Sequence, residues 1–294
     1  MRTLSCRQTL NPVPSDEVNE AQGSRSSLAW WSGSISRVSI RTIAEKVSRN
    51  RVIKKRLPSG FRRAAIYVSP DASLRYWQPG SGAFDRMLLE AASERVTPEM
   101  TVWDVGANVG VFALAAASTP GRSGDTLAIE PDPFLAGLIQ RSTVQKPQDA
   151  AGVTVICAAL ADRSGLAEFS IATRGRASNS LLEAGGRSQA GGTRHRSVVP
   201  VLHPDALVEL AGPPGFIKID VEGAELCILR AAESLLARHH PELLVEVGEA
   251  DRDEVTRLLH DLGYTLHDAA KGFAQPVAVE RCCFNTFATA ASSR

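Results

Sequence analysis

The stretch from Val102 to Ala117 constrains the fold of this chain more than any other. A short apolar, strand-like run leads through Asp104 into the glycine turn 106–110, and apolar helix formers follow at 111–117. Glycine adopts backbone angles that other residues avoid and lets a ligand lie against the main chain. The start of the next helix offers unpaired N–H donors beside that ligand. The pattern therefore predicts the nucleotide-cofactor turn of an α/β sheet.

From Thr101 onward, strand-like and helix-like segments alternate, which predicts a mostly parallel sheet covered by helices on both faces. We expect strands at 101–105, 125–130, 153–157, 215–220, 242–247, 264–268 and 282–289. We expect helices at 109–118, 134–145, 222–238 and 251–262. The predicted fold is a seven-stranded, Rossmann-like α/β sheet that ends in an antiparallel hairpin.

The chain divides into three predicted regions. Residues 1–57 form a basic extension that is disordered or partly helical, and residues 99–294 form the cofactor-binding domain. Between them, residues 58–98 cover the domain with two short strands between Phe61 and Trp77 and a helix over 83–95. Within the domain, the Gly-, Ser- and Arg-rich stretch 172–197 is either a lid or a disordered segment.

The charge of the chain is divided unevenly between its two ends. Residues 1–63 carry 13 Lys/Arg and 4 Asp/Glu, whereas the remainder carries 20 and 28. A basic leader can bind nucleic acid or a membrane surface, or it can be a solvated extension; its scattered charges favour the solvated extension. The 5 cysteines form no CxxC pair, and no apolar run approaches the ~20 residues that cross a bilayer. We therefore expect a cytoplasmic protein without a transmembrane segment.

The identity of the cofactor depends on two positions in the turn. Asn108 occupies the middle glycine position of the dinucleotide fingerprint, which weakens the case for a nicotinamide-dependent oxidoreductase. Asp104 would be an unfavourable neighbour for phosphate, but it suits the ammonium group of S-adenosylmethionine; alternatively, it caps the turn. Twenty residues after Gly110, Glu130 ends the second strand and can accept hydrogen bonds from both ribose hydroxyls of either cofactor.

Three motifs in this order resemble the FkbM-type S-adenosylmethionine-dependent methyltransferases over roughly residues 99–290. They are Asp104-Val105-Gly106-Ala107-Asn108-Val109-Gly110, Glu130-Pro131-Asp132-Pro133 and Lys218-Ile219-Asp220-Val221-Glu222-Gly223-Ala224-Glu225. The resemblance implies a seven-stranded methyltransferase fold with S-adenosylmethionine as cofactor. It also implies O-methylation of sugars or other small hydroxylated metabolites.

The predicted cofactor contacts follow the carboxyl ends of the first three strands of the domain. The third strand leads to Leu160 and Asp162, where the adenine edge lies in this fold, although Asp162 also fits an ordinary turn. The full predicted set of cofactor-binding residues is Asp104, Gly106, Asn108, Gly110, Glu130, Pro131, Leu160 and Asp162.

The predicted catalytic residues lie on the fourth and fifth strands of the domain. Asp220 ends the strand beside the one that carries Asp104, so it is the candidate that orients or deprotonates the acceptor hydroxyl. Lys218 lies two residues earlier and faces the same side; it either fixes Asp220 or forms a purely structural buried pair with a carboxylate. Glu246 or Glu222 is the next candidate, although Glu222 begins the following helix, where a negative charge is favoured in any case. No metal site is predicted, although a divalent metal bound by Asp220 and Glu246 is an alternative.

The expected partner is a small hydroxylated acceptor such as a sugar, a glycoside or a polyketide-like metabolite. The alternative is an RNA-binding protein or an RNA methyltransferase that uses the basic extension. Base methylation is disfavoured because Asp220-Val221-Glu222-Gly223 follows the fourth strand, where an Asn/Asp-Pro-Pro-aromatic motif would be needed. Nucleic acid is therefore not the expected partner, and a homodimer is compatible with the sequence.

Overall fold

The protein is described by a computed structural model that covers residues 44–45, 47–172, 176, 180–181 and 192–290. The strands are β1 (Ile53–Arg56), β2 (Ala65–Val68), β3 (Val102–Val105), β4 (Thr126–Ile129), β5 (Val153–Ile156), β6 (Ala159–Leu160), β7 (Gly165–Ala172), β8 (Ser180–Leu181), β9 (Thr193–Leu202), β10 (Phe216–Ile219), β11 (Glu242–Glu246), β12 (Tyr264–Asp268), β13 (Ala278–Val279) and β14 (Asn285–Ala290). The helices are α1 (Arg86–Glu94), α2 (Val111–Ser118), α3 (Pro133–Thr143), α4 (Pro204–Ala211), α5 (Glu225–Ala231), α6 (Glu233–His239) and α7 (Arg252–Asp261).

The central sheet has eight strands in the order β13-β12-β14-β11-β10-β3-β4-β5. Strands β11, β10, β3, β4 and β5 are parallel, and β14 pairs antiparallel with both β11 and β12. The Rossmann-like α/β architecture and its terminal antiparallel hairpin are confirmed. The expected number of seven strands is too low, because the two-residue β13 adds an eighth strand at the edge of β12.

The two faces of the sheet bury different clusters because successive side chains point to opposite sides. Val102 and Phe216 pack on one face with α1, α2, α3 and the segment 57–84. Trp103 and Ile217 pack on the other face with α4 to α7. Helix α2 is buried along its whole length, which explains why its sequence is apolar all round. Helices thus cover both faces and leave the strand ends to form a site.

Two local predictions need correction. Of the two strands expected between Phe61 and Trp77, only β2 forms; it pairs with β1, and residues 74–77 form a 3₁₀ turn that buries Tyr76. The boundary expected between residues 57 and 58 therefore separates β1 from its partner strand β2. The helix expected at 222–238 begins only at Glu225 and divides at Ala232 into α5 and α6.

A second sheet, in the order β6-β9-β7-β8, follows β5. The long strand β9 pairs antiparallel with β7, so part of the stretch 172–197 is regular structure that the sequence did not predict. Of the rest of that stretch, only residues 172, 176, 180–181 and 192 are described, and most of the predicted extension 1–57 lies outside the described residues. Among the described helices, none is long and apolar enough to cross a membrane.

Candidate active site

The carboxyl ends of β4, β3, β10 and β11 meet at one edge of the central sheet. The chain moves outward from β3 to β4 and β5 on one side, and from β10 to β11 on the other, which makes this a topological switch point. A cavity opens there. Its lining includes side chains that follow all four strands, so the strand order alone assembles the site from distant parts of the sequence.

The glycine turn after β3 forms the floor of this cavity. Gly106 has φ +72°, and a Cβ atom there would lie 1.9 Å from the carbonyl oxygen of Asp220, so this position requires glycine. Asn108 also takes a positive φ of 56°. Its side-chain oxygen is buried and has no hydrogen-bond partner among the described residues. A ligand with a hydrogen-bond donor at this point would satisfy that oxygen.

Glu130 places a buried carboxylate on the cavity wall. The backbone N–H of Asn108 donates to its Oε2 at 2.7 Å, and the N–H of Asp132 donates to its Oε1 at 2.9 Å. Burial raises the pKa of Glu130 to about 8, against the opposing effect of these two donors. Each carboxylate oxygen keeps a further lone pair, so the group can still accept two hydroxyl donors.

Asp104 and Lys218 form a buried pair behind the glycine turn. They lie side by side in the β3–β10 register, with Lys218 Nζ 3.2 Å from Asp104 Oδ1. The ammonium also donates to the carbonyl oxygen of Gly106 at 2.7 Å, and the N–H of Ala113 donates to Asp104 Oδ2 at 3.0 Å. Burial lowers the pKa of Lys218, but the charges of Asp104 and Asp220 outweigh it and raise the pKa above its ordinary value. The pair fixes the turn and the start of α2.

The end of the cavity beside β10 and β11 carries a cluster of carboxylates. One carboxylate oxygen from each of Asp220, Glu222 and Glu246 lies within 4.8 Å of the others. The side chain of Asp220 is 39% exposed and lies 3.6 Å from Lys218 Nζ, which confirms that the two residues face the same side. The cluster can accept hydrogen bonds from several donors, and carboxylates are also ligands for hard divalent cations.

The structure brings together seven of the predicted site residues on the cavity wall: Gly106, Asn108, Glu130, Pro131, Leu160, Asp220 and Glu246. Asp104, Gly110 and Lys218 lie behind that wall and are buried. Asp162 lies away from the cavity lining, in an exposed turn where it pairs with Arg163 at 3.3 Å.

Among the side chains that line the cavity, the sequence did not identify Phe169 and Arg176. Phe169 lies on β7 in the second sheet, and Arg176 lies in the stretch predicted as a lid or a disordered segment. Glu222, the predicted alternative to Glu246, also lines the cavity. No spacing motif connects Phe169 or Arg176 with the glycine turn, so only the tertiary structure could reveal them.

Comparisons with known proteins were made for the whole chain. No curated relative matches it. Among solved structures, the chain is similar to the methyltransferase FkbM from Methylobacillus flagellatus KT, with 16% identity over 65% of this chain and 43% of that protein, and a TM-score of 0.41. It is also similar to a precorrin-6Y C5,15-methyltransferase from Geobacter metallireducens GS-15, with 13% identity over 69% and 86% and a TM-score of 0.39.

A comparison with protein families gives a match that covers more than half of the chain. Residues 104–266 match the family model described as the methyltransferase FkbM domain. The matched segment begins at the last residues of β3 and ends within β12. It therefore includes the glycine turn, Glu130 and the carboxylates that follow β10 and β11.

Proposed function

Because the chain belongs to the FkbM methyltransferase family, we propose that it transfers the methyl group of S-adenosylmethionine to a hydroxyl oxygen of a sugar or another small metabolite. The proposal rests on one observation. Glu130 and Asp220 share a cavity, on either side of the glycine turn that follows β3. The Glu130 carboxylate would accept hydrogen bonds from the ribose hydroxyls, and the Asp220 carboxylate would accept one from the hydroxyl of the acceptor.

The residues present fit S-adenosylmethionine. Glu130 would accept hydrogen bonds from the ribose hydroxyls, and the unpartnered Asn108 oxygen could accept a hydrogen bond from a donor group of the cofactor. Pro131, Leu160 and Phe169 offer an apolar wall for the adenine. Since Asp104 is only 1% exposed and already paired, it would act on the cofactor through Lys218 and the turn.

The chemistry requires alignment more than strong acid–base help. When bound, S-adenosylmethionine supplies an electrophilic methyl group on a sulfonium. Asp220 would hold the acceptor hydroxyl in line with that methyl carbon and accept the hydroxyl proton as the new bond forms. Lys218 would fix the Asp220 carboxylate from behind. Glu246 and Glu222 would accept hydrogen bonds from neighbouring hydroxyls of a polyol.

The charge of the reactive end limits the class of acceptor. The three carboxylates of Asp220, Glu222 and Glu246 would repel a phosphorylated or carboxylated molecule. The Arg176 guanidinium, which also lines the cavity, is already paired with Asp71 and Asp132. A neutral, hydroxyl-rich acceptor therefore fits better than a nucleic acid, whose affinity depends on neutralising phosphates.

The proposal is tested in two steps. Calorimetry should show that the protein binds S-adenosylmethionine and S-adenosylhomocysteine but not a nicotinamide dinucleotide. Incubation with S-adenosylmethionine and a panel of neutral glycosides and polyketide-like alcohols should then give S-adenosylhomocysteine and a methyl ether, both detected by mass spectrometry. Binding of the dinucleotide instead would refute the assignment of the cofactor.

Asp220→Asn tests the catalytic assignment. The variant should bind S-adenosylhomocysteine normally and lose turnover by about 10²-fold or more, the range for a lost acid–base group. Glu222→Gln is the matched comparison, because it removes a charge from the same cluster: since Glu222 would hold a neighbouring hydroxyl of the acceptor, this variant should raise the KM for the acceptor and leave turnover close to normal. Near-normal methylation by Asp220→Asn would make Asp220 structural, and Glu246 would become the next candidate.

A further inference from the structure

Arg176 joins three separate parts of the chain at the wall of the cavity. Its Nε donates to Asp71 Oδ2 at 3.0 Å, its Nη1 donates to Asp132 Oδ2, and its Nη2 donates to Asn50 Oδ1 at 3.2 Å. The guanidinium carbon lies 4.5 Å from the centre of the Phe134 ring. With the side chain only 10% exposed, every face of this cation is engaged by protein or turned toward the cavity.

The two carboxylates that Arg176 bridges are among the most buried charges of the described structure. Their side chains are 3% exposed for Asp71 and 1% for Asp132. Asp71 has a second cation, because Arg194 Nη2 lies 3.1 Å from its Oδ2. Removal of Arg176 would therefore leave Asp71 paired with Arg194 and would take from Asp132 its ion pair with Arg176.

Asp132 connects this network to the carboxylate proposed for ribose binding. Its Oδ1 accepts a hydrogen bond from the N–H of Phe134 at 2.9 Å and so caps helix α3. Its own N–H donates to Glu130 Oε1 at 2.9 Å. Arg176 thus holds the side chain of a residue whose backbone holds Glu130, while its charge offsets that of Asp132, which lies close to Glu130 and raises the pKa of that group.

We propose that Arg176, which lies between β7 and β8, is a positioning residue for cofactor binding: it fixes Asp132, and through Asp132 the Glu130 carboxylate. The inference rests on the proposed function, since it assigns Arg176 to the ribose end of that same cavity. It also gives a role to the stretch 172–197 in which Arg176 lies. A forked guanidinium suits this task, because one side chain must meet two carboxylates in different directions, which a lysine ammonium does less well.

The test measures the affinity of the full chain for S-adenosylhomocysteine by calorimetry. Arg176→Ala should weaken binding roughly tenfold to hundredfold, the range for one lost charge-assisted contact, and Arg176→Lys should weaken it less. Arg194→Ala is the matched control: it also removes a cation from Asp71, but Arg194 does not line the cavity. Its affinity should remain close to that of the original protein.

A double variant separates positioning from a general loss of structure. Asparagine can still cap a helix, so Asp132→Asn removes the negative charge that Arg176 offsets and keeps the cap. In the Arg176→Ala background, Asp132→Asn should therefore restore part of the lost affinity. If each substitution merely damaged the structure, the two losses of affinity would add. Thermal melting confirms that each variant is folded, and Arg176→Lys keeps the test decisive if Arg176→Ala does not fold.

The outcomes distinguish this inference from the proposed function. If the original protein does not bind S-adenosylhomocysteine, the proposed function fails first. If it binds, and Glu130→Ala weakens binding while Arg176→Ala does not, Arg176 has no positioning role. A further loss of affinity in the double variant would equally overturn the inference.

Discussion

The buried carboxylate of Glu130 gives the most direct prediction about ligand binding. In the free protein, burial raises its pKa to about 8, so the group is largely protonated at neutral pH. The ribose hydroxyls are donors and pair best with the ionised form. Affinity for S-adenosylhomocysteine should therefore increase as the pH rises through about 8, and binding below that pH should release a proton.

The expected magnitude follows from the ionised fraction. With a pKa of about 8, roughly 3% of Glu130 is ionised near pH 6.5 and roughly 90% near pH 9, so affinity should rise about 30-fold over that range. The charged and titratable groups near Glu130 are Asp132 and Lys218, together with Arg176 and the Cys157 thiol. Burial raises the pKa of Cys157.

The assay is calorimetry at several pH values in two buffers of different ionisation enthalpy, which reports the protons released. Glu130→Gln is the control, because it keeps one acceptor oxygen and cannot titrate. Any pH dependence of the affinity that remains in Glu130→Gln comes from the ligand or from other titrating groups, and it is subtracted. An affinity ratio between the two proteins that stays constant from about pH 6.5 to 9 would refute the argument.

Three further predictions follow. Asp104→Ala leaves Lys218 buried without its main partner, so the free energy of unfolding in urea should fall by about 3–5 kcal/mol; a change below about 1 kcal/mol would show that the pair does not fix the turn. A chain starting at residue 44 should melt within a few degrees of the full chain, whereas one starting at residue 57 loses β1 and should melt markedly lower; equal melting temperatures would show that β1 contributes little. Millimolar Mg²⁺ or Mn²⁺ should leave the melting temperature unchanged, because we assign the Asp220–Glu246 end to hydrogen bonding; a clear rise, reversed by a chelator and absent in Glu246→Gln, would assign a metal site.

The sequence alone determined the architecture and the family of this protein. The alternation of strand and helix segments predicted the doubly covered parallel sheet, and the motifs at Asp104–Gly110, Glu130–Pro133 and Lys218–Glu225 indicated the family. These features are local. Periodicity decides which face of a segment is buried, and glycine is required where the backbone approaches closely, as Gly106 approaches Asp220.

Only the tertiary structure decided which charged groups face the cavity and which face one another. Asp104 and Lys218 are 114 residues apart in sequence, yet the β3–β10 register makes them partners, and Asp104 does not line the cavity. Arg176 contacts Asp71 and Asp132, which lie 105 and 44 residues away in sequence. A buried charge takes whichever counter-charge the fold brings near, and neither periodicity nor spacing along the chain specifies that choice.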